Sequence, residues 1–501
     1  MTSEAFGKLV AHARETGKFS SILALIEWDE RTIMPSQAGS YRAEQVTSLS
    51  GFIHARRTAA EVGAWLDELR DVDWENGPHG DEASTVRELR RDYERQTKLP
   101  RSLVEALAGA AVRGQQAWVE ARRNDDFSEF LPTLETIVSL RREEAEALGY
   151  ESSIYDPLLD AYEPGERTEV VAGVLAALKT DLAPLVAAIA DSGRTAPVDL
   201  LHQSFPIDEQ EEFGRSAARR IGFDFERGRL DVTHHPFCAT MGPSDCRITT
   251  RYDKMFLNPA FFGTLHEAGH GIYEQGLRDD QFELPPGSYA SLGIHESQSR
   301  MWENQVGRSR AFWEHLFPAA QQRFSSLANA NLDDFYFAIN DVRPSLIRVE
   351  ADEATYNLHI IVRFELEQAI MGGDLPLADL PQAWREKYRD ALGIEPPSDA
   401  DGVLQDVHWS AGLIGYFPTY ALGNLYAAQF FAHADEQLGG LDEQFARGDF
   451  EPLREWLREK IHRRGRCLTA AELVVDVTGE PLSHHPFMTY LQGKLGPLYG
   501  I

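Results

Sequence analysis

The sequence predicts a mostly α-helical fold, a single large two-lobed domain of 501 residues that contains one small β element. Three observations lead to this prediction. Apolar residues recur at three- and four-residue spacing through most of the chain, which is the period of an amphipathic helix. No low-complexity stretch or segment rich in Pro, Gly and Ser divides the chain. One region, from Leu230 to Tyr252, instead carries β-type residues on both sides of a turn.

The helical period is clearest between Arg167 and Ile189, where apolar residues share one broad face. These are Val170, Val171, Val174, Leu178, Leu182, Leu185 and Ile189. The same period predicts helices over roughly residues 5–30, 39–70, 80–95, 101–122, 133–148, 208–221, 300–340, 353–370 and 441–462. No repeat of fixed length is present in the sequence, so a solenoid is not expected.

Between Leu230 and Tyr252, the turn residues Gly242, Pro243 and Ser244 predict a hairpin or a short sheet. Cys238 and Cys246 flank this hairpin, and the sequence leaves a metal-binding or redox role open for them.

Composition indicates an ordinary soluble protein, with 43% hydrophobic and 26% charged residues. A net charge of -30 argues against binding to nucleic acid, which requires clustered Lys and Arg. The N-terminal residues lack the uninterrupted apolar core of a signal peptide, and we expect that no apolar run approaches the length needed to cross a bilayer. The three cysteines are too few and too scattered for a disulfide framework. We therefore expect a cytoplasmic protein in a reduced compartment.

The strongest chemical signal is the HExxH pattern of His266, Glu267 and His270. Residues four apart share one helix face, so both imidazoles can bind the same metal ion. Glu267, beside the first ligand, can act as a general base toward the water that the ion activates. The alternative is a chance match on an ordinary helix face, so a second feature is needed.

Glu296 provides that second feature, because it lies in the segment His295–Gln298, downstream of the pattern. Two histidines leave a zinc site short of the usual three protein ligands, and a carboxylate from a second helix is a standard completion. The alternative is a surface glutamate near the start of a helix. His295 is assigned a structural or supporting role.

Several further motifs follow one another in an order that resembles the carboxypeptidase Taq family of thermostable metallocarboxypeptidases. The resemblance covers essentially the whole chain. The motifs are WDxxTxMP with a following Arg and Gln (Trp28 to Gln45), HPF (His235 to Phe237), DxRxT (Asp245 to Thr249), HExxH (His266 to His270), HESQ (His295 to Gln298), IRxxAD (Ile347 to Asp352) and GxxQDxHW (Gly402 to Trp409).

This resemblance implies a mostly helical, two-lobed, neurolysin-like peptidase with a long substrate groove, which is usually a homodimer. It also suggests that an imidazole in the last motif and a phenol after it face the metal. His408 and Tyr420 are the candidates, with Tyr416 as the alternative phenol. The competing interpretation is that these tyrosines pack in a hydrophobic core.

A carboxypeptidase must also bind a terminal carboxylate, for which arginine offers a bidentate fork of donors. Arg348 is the leading candidate and Arg247 the alternative, whereas structural ion pairing with Asp245, Glu350 or Asp352 is the competing interpretation for both. His235 is predicted to shape the wall of the groove, and a purely structural histidine is an equal alternative.

The predicted function is therefore a broad-specificity metallocarboxypeptidase acting on peptides, with Zn²⁺ as the cofactor and Co²⁺ or Mn²⁺ as alternatives. An oligopeptidase is the nearest competitor, because HExxH and a distant glutamate do not determine where a peptide is cut. A non-catalytic peptide-binding scaffold is the competitor from another class. The presence of Glu267 argues against it, since a scaffold has no need of a base beside its ligands.

Overall fold

A computed structural model describes residues 4–501, and it is mostly helical with one small sheet, as predicted. Its α-helices are α1 (Glu4–Thr32), α2 (Gly39–Arg57), α3 (Ala60–Glu68), α4 (Asp81–Lys98), α5 (Arg101–Asn124), α6 (Phe127–Leu148), α7 (Asp156–Leu159), α8 (Thr168–Asp191), α9 (Ile207–Ile221), α10 (Asn258–Gly276), α11 (Leu292–Arg300), α12 (Arg310–Arg323), α13 (Leu332–Ile339), α14 (Thr355–Gly372), α15 (Leu380–Leu392), α16 (Pro418–Leu438), α17 (Leu441–Ala446), α18 (Glu451–Lys460), α19 (Ala470–Thr478) and α20 (His485–Tyr499). The strands are β1 (Gly228–Val232), β2 (Cys238–Gly242) and β3 (Asp245–Thr250), and a π-helix spans Met301–Val306.

The chain forms two compact units, each assembled from three separate segments. Unit 1 contains the described residues through Thr97 together with Pro197–Ile339 and Phe430–Glu480. Unit 2 contains Lys98–Ala196, Asn340–Gln429 and Pro481–Ile501. The prediction that the whole chain is one catalytic domain stays a prediction.

In unit 1, the three strands lie in the order β1, β3, β2, with β1 parallel and β2 antiparallel to β3. This confirms a short sheet in the predicted region, although β1 begins two residues earlier than expected. α10 packs closely on β3. Gly271 favours this approach, because a Cβ atom at this position would lie 3.2 Å from the Ile248 side chain on β3 and 2.5 Å from the Phe223 ring.

In unit 2, α5 and α6 pack along each other, and α14 packs against α6, α8 and α15.

The buried face of α8 is narrower than predicted. Val171, Leu178, Leu182 and Ile189 are buried, but Val170 is 57% exposed. By length and composition, α8 is apolar enough to cross a membrane, so the expectation that no run approaches this length was wrong. Its buried face packs against α14 and α20.

Three helices predicted as continuous are broken in the structure. The predicted helix 39–70 is α2 and α3, and the predicted helix 300–340 is the π-helix followed by α12 and α13. In the second case local capping ends the periodic run, because the Ser309 hydroxyl accepts a hydrogen bond from the Phe312 N–H and the Asn331 side chain accepts one from the Asp334 N–H. The predicted helix 441–462 is likewise α17 and α18, with Gly448 at φ 77° between them. Periodicity did not predict α15, α16, α19 and α20.

Candidate metal centre

α10 carries both histidines of the HExxH pattern. The helix has Pro259 in its first turn, where the missing N–H costs no intrahelical hydrogen bond. One turn separates His266 from His270, so their rings lie on the same face with centroids 4.9 Å apart. Both are part of unit 1.

α11 places Glu296 opposite these rings. The Ser291 hydroxyl caps α11 by accepting a hydrogen bond from the Ile294 N–H at 3.1 Å. Glu296 Oε2 then lies 3.7 Å from His266 Nε2 and 3.4 Å from His270 Nε2. The structure therefore brings the three predicted ligands together around one point.

Two arginines and a second glutamate hold this arrangement. Arg300 Nε donates to Glu296 Oε1 at 2.7 Å, which leaves Oε2 directed at the imidazoles. Glu303 Oε2 lies 2.9 Å from His266 Nδ1, a contact that favours a proton on Nδ1 and directs Nε2 toward Glu296. Arg308 Nη2 lies 3.5 Å from Glu303 Oε1. Glu303 lies in the π-helix, a rare element that often marks functional sites.

The pKa values suit a cation site. Burial would raise the pKa of Glu296, but the charges of Arg300 and His266 hold it well below its ordinary range. Burial lowers the pKa of His270 to about 3, so its imidazole is neutral, as a ligand must be. Burial raises the pKa of Glu267 to about 7, which suits a base that works near neutral pH.

These residues fit a divalent metal. Donors about 2.0–2.2 Å from a tetrahedral ion lie about 3.3–3.6 Å apart, which is close to the separations between Glu296 Oε2 and the two Nε2 atoms. Within residues 4–501, buried Glu267 Oε2 has no hydrogen-bond partner, as expected of a carboxylate whose partner belongs to the reaction. His295 stacks on His270 with centroids 4.4 Å apart and contacts Glu274 at 2.9 Å, so its position is a supporting one.

A second group of potential ligands lies in unit 2, where Asp181, His484 and His485 have side-chain donors within 4.8 Å of one another. His484 Nε2 already contacts Asp181 Oδ2 at 2.8 Å. This direct side-chain contact joins α8 to the start of α20, and it accounts for the proximity of Asp181 and His484 without a metal ion.

Unit 2 also brings together the residues predicted to assist the reaction. His408 Nε2 lies 3.4 Å from the Tyr420 hydroxyl, and the Tyr416 and Tyr420 rings have centroids 5.3 Å apart. Burial lowers the pKa of His408 to about 4, so its ring is neutral. His408 is therefore able to donate one hydrogen bond without carrying a charge.

Arg348, 5% exposed, belongs to the same cluster, with its guanidinium 5.2 Å from the centre of the Tyr420 ring. Its Nε and Nη2 lie 2.9 and 2.8 Å from Asp406 Oδ1, and Nη1 donates to the Tyr356 hydroxyl at 2.9 Å. Arg363 Nη2 lies 2.6 Å from the other Asp406 oxygen. Two arginines thus share the Asp406 carboxylate.

The other two predicted substrate contacts lie in unit 1. Arg247 forms a bidentate pair with Asp245 at 2.8 and 2.9 Å and stacks over Trp28 at 4.3 Å. His235 is exposed in the connection between β1 and β2.

Sequence analysis missed four residues that hold these clusters, namely Arg300, Glu303, Arg363 and Asp406. Arg300 and Glu303 follow Glu296 at four and seven residues, so helical spacing was a usable signal. Asp406 precedes His408 by two residues, whereas nothing in the sequence linked Arg363 to it.

Comparison with known proteins agrees with this geometry. The family model for carboxypeptidase Taq (M32) metallopeptidase matches residues 8–495. The chain is 47% identical to thermostable carboxypeptidase 1 of Thermus thermophilus over 100% of both chains, and 39% identical to carboxypeptidase 1 of Bacillus subtilis over 96% of each. The crystal structure of the M32 carboxypeptidase of Deinococcus radiodurans R1 superimposes with a TM-score of 0.96 at 41% identity over 100% of both chains. The chain therefore belongs to the carboxypeptidase Taq (M32) family of metallopeptidases.

Proposed function

We propose that this metallocarboxypeptidase removes C-terminal residues from peptides, with broad specificity, using one Zn²⁺ ion held by His266, His270 and Glu296. The observation that supports this most directly is the approach of both imidazoles to a single Glu296 oxygen, beside Glu267 Oε2, which has no hydrogen-bond partner among residues 4–501. Two nitrogens and a carboxylate oxygen suit zinc, and Co²⁺ or Mn²⁺ are the alternatives.

When bound, the ion supplies Lewis acidity, which polarises the scissile carbonyl and lowers the pKa of the attacking water. Glu267 takes the proton of that water and later transfers it to the leaving amine. Its pKa near 7 makes both transfers accessible at neutral pH. Arg300 and Glu303 keep the ligands oriented throughout.

His408 and Tyr420 are proposed to donate hydrogen bonds to the oxyanion that develops on the carbonyl, with Tyr416 as the alternative donor. Their mutual contact and the neutral state of His408 support this role.

Arg348 is proposed to bind the terminal carboxylate of the substrate. Arg348 shares the Asp406 carboxylate with Arg363, whereas Arg247 has a bidentate contact with Asp245. A buried guanidinium that shares its carboxylate partner favours an incoming anion. Arg247 and His235 are retained as secondary substrate contacts.

One experiment tests both the cleavage position and Arg348. The same peptide is supplied as a free acid and as a C-terminal amide, the products are identified by mass spectrometry, and kcat/KM is measured for each. We expect the parent to produce a ladder of C-terminal truncations and to prefer the acid strongly. The Arg348→Ala variant should lose most of this preference, by about 2–5 kcal/mol, while keeping its metal.

An Arg247→Ala variant is the matched control and should keep the preference for the acid. If the parent cuts acid and amide equally well, or yields internal fragments, it is an oligopeptidase. If only Arg247→Ala loses the preference, Arg247 binds the carboxylate.

We also propose that the protein is a cytoplasmic homodimer that binds neither nucleic acid nor membranes. The net charge of -30 supports the exclusion of nucleic acid. Light scattering during size-exclusion chromatography will give the oligomeric state directly, with the mass of one chain, 56.2 kDa, as the contradicting result.

A further inference from the structure

Two of the three cysteines lie side by side on the sheet beneath the metal helix. Cys238 is on β2 and Cys246 on β3, and their sulfur atoms are 3.6 Å apart. Both are free thiols. Nothing in the proposed peptidase reaction uses them.

The strand register makes a direct disulfide between them unfavourable. Cys238 pairs with Ile248, and Thr240 pairs with Cys246, so the two cysteines are diagonal neighbours on one face of the sheet. Diagonal Cα atoms in an antiparallel pair lie about 7–8 Å apart. A disulfide requires Cα atoms about 4.4–6.8 Å apart and a sulfur–sulfur bond of about 2.05 Å. The strands would therefore have to shift to form one.

The same separation suits a bridge through one additional atom. Two thiolates bound at about 2.3 Å to a tetrahedral zinc-sized ion lie about 3.8 Å apart. The observed 3.6 Å is within reach of this value by small side-chain rotations. A thiophilic centre placed between the sulfurs would thus leave the strand pairing intact.

The two cysteines differ in exposure. Cys246 is 2% exposed and its sulfur lies 3.9 Å from the Gly271 carbonyl on α10, whereas Cys238 is partly exposed. The hydrogen bond to Cys246, together with burial, raises the pKa of Cys238 well above its ordinary value. Both protons must therefore leave when a ligand binds.

We propose that Cys238 and Cys246 form a dithiol site that chelates one thiophilic centre of the trivalent arsenic or soft divalent cation class. With phenylarsine oxide as the ligand, two S–H bonds and the As=O bond break and two As–S bonds form. The two thiol protons and the oxygen leave as one water molecule, and arsenic remains trivalent. No oxidant is needed, and the metal ligands on α10 and α11 take no part.

The test uses the full-length, metal-loaded protein with a small excess of phenylarsine oxide, followed by intact mass spectrometry and metal analysis. We expect one adduct per chain, formed with loss of one water, reversed by a small-molecule dithiol and accompanied by unchanged metal content. Cys238→Ser and Cys246→Ser should each abolish the stable adduct. Cys467→Ser is the matched control and should keep it, because Cys467 lies elsewhere in unit 1, with its sulfur near Asp81.

The Cys238→Ser variant keeps the test decisive if Cys246→Ser, at a buried position, fails to fold. The absence of an adduct in the parent would overturn the proposal, as would an equally stable adduct in Cys238→Ser or its loss in Cys467→Ser. A disulfide between Cys238 and Cys246 after treatment of the folded protein with hydrogen peroxide, identified by peptide mapping, would overturn the argument from strand register.

Discussion

Glu267 and Glu296 are both 6% exposed, yet their pKa values move in opposite directions. Burial dominates at Glu267 and raises its pKa to about 7, whereas at Glu296 the charges of Arg300 and His266 outweigh burial and lower the pKa. Two carboxylates whose environments separate their pKa values are suited to different tasks. This difference supports the proposed roles of Glu267 as the base and Glu296 as a metal ligand.

Replacing Glu267 with Gln tests the base directly. The substitution keeps the shape of the side chain and leaves all three proposed ligands in place, so we expect metal content to remain near that of the parent. Turnover should fall by about 10²–10⁴-fold, because the proton acceptor is lost. Metal content and kcat are to be measured on the same sample. Near-normal turnover in a fully metallated variant would exclude Glu267 as the base.

Glu303 is expected to act on the metal through His266. Its carboxylate lies 2.9 Å from His266 Nδ1, and the loss of such a partner typically weakens metal binding about 10–100-fold. We therefore predict that Glu303→Gln lowers metal affinity by this factor in competition with a chelator. Glu274→Gln is the control, since Glu274 contacts His295 rather than a proposed ligand. Equal affinities for the two variants would contradict this role.

At the scale of elements, the centre depends on how closely α10 and α11 approach. Gly269, inside the HExxH pattern, makes the approach possible, because a Cβ atom there would lie 2.7 Å from both the Gln298 carbonyl oxygen and the Ser299 Cα. These are backbone atoms of α11, which cannot rotate away as a side chain can. The spacing of the two helices therefore sets the distance from Glu296 to the imidazoles.

Gly269→Ala should separate the two helices. We expect an overpacking cost of about 1–3 kcal/mol and a weaker metal site, since Glu296 moves away from His266 and His270. Gly263→Ala on the same helix is the matched control, because the nearest atom to its Cβ would be 3.9 Å away, on Thr250. Thermal unfolding of the metal-free proteins and chelator competition measure the two effects. A Gly269→Ala variant as stable as Gly263→Ala would show that α11 adapts.

At the scale of the whole molecule, stability depends on buried charges in unit 2 as well as on the metal centre. Glu367 is 1% exposed and accepts hydrogen bonds from the Tyr155 hydroxyl at 2.5 Å, the Trp409 indole at 2.8 Å and the Gly415 N–H at 3.1 Å. These contacts tie α14 to the loop between His408 and Tyr416. Burial raises the pKa of Glu367 to about 7 despite the three donors.

This shift predicts how stability changes with pH. Between its ordinary pKa of 4.5 and about 7, the folded state keeps a proton that the unfolded state has released, so Glu367 makes the protein less stable as the pH rises through this window. The loss is at most about 3 kcal/mol. In urea unfolding, the free energy of unfolding should decline less between pH 5 and pH 8 for Glu367→Gln than for the parent.

The quantity to compare is the change in the free energy of unfolding between pH 5 and pH 8, because the Gln substitution alters the hydrogen bonds at both pH values. Glu386→Gln, at an exposed position on α15, is the control and should decline as the parent does. An unchanged decline in Glu367→Gln would mean that Glu367 is ionised throughout.

The sequence alone was sufficient for the mostly helical class, the small sheet, the family and the metallocarboxypeptidase function. Helical periodicity and HExxH spacing are local, so residues a few positions apart encode them. Where local capping interrupts a run of periodic apolar residues, as at Ser309 and Asn331, the predicted helix boundaries were wrong.

Only the tertiary structure decided which distant residues meet. Arg348 was expected to pair with a nearby acidic residue if it was structural, but it pairs with Asp406, which it shares with Arg363. The approach of α11 to α10 at Gly269, and the contact of Glu303 with His266, likewise depend on how helices pack. The roles of His408, Tyr420, Tyr416, Arg247 and His235 stay predictions. Side-chain packing between elements separated in sequence fixes such contacts, and no local pattern encodes it.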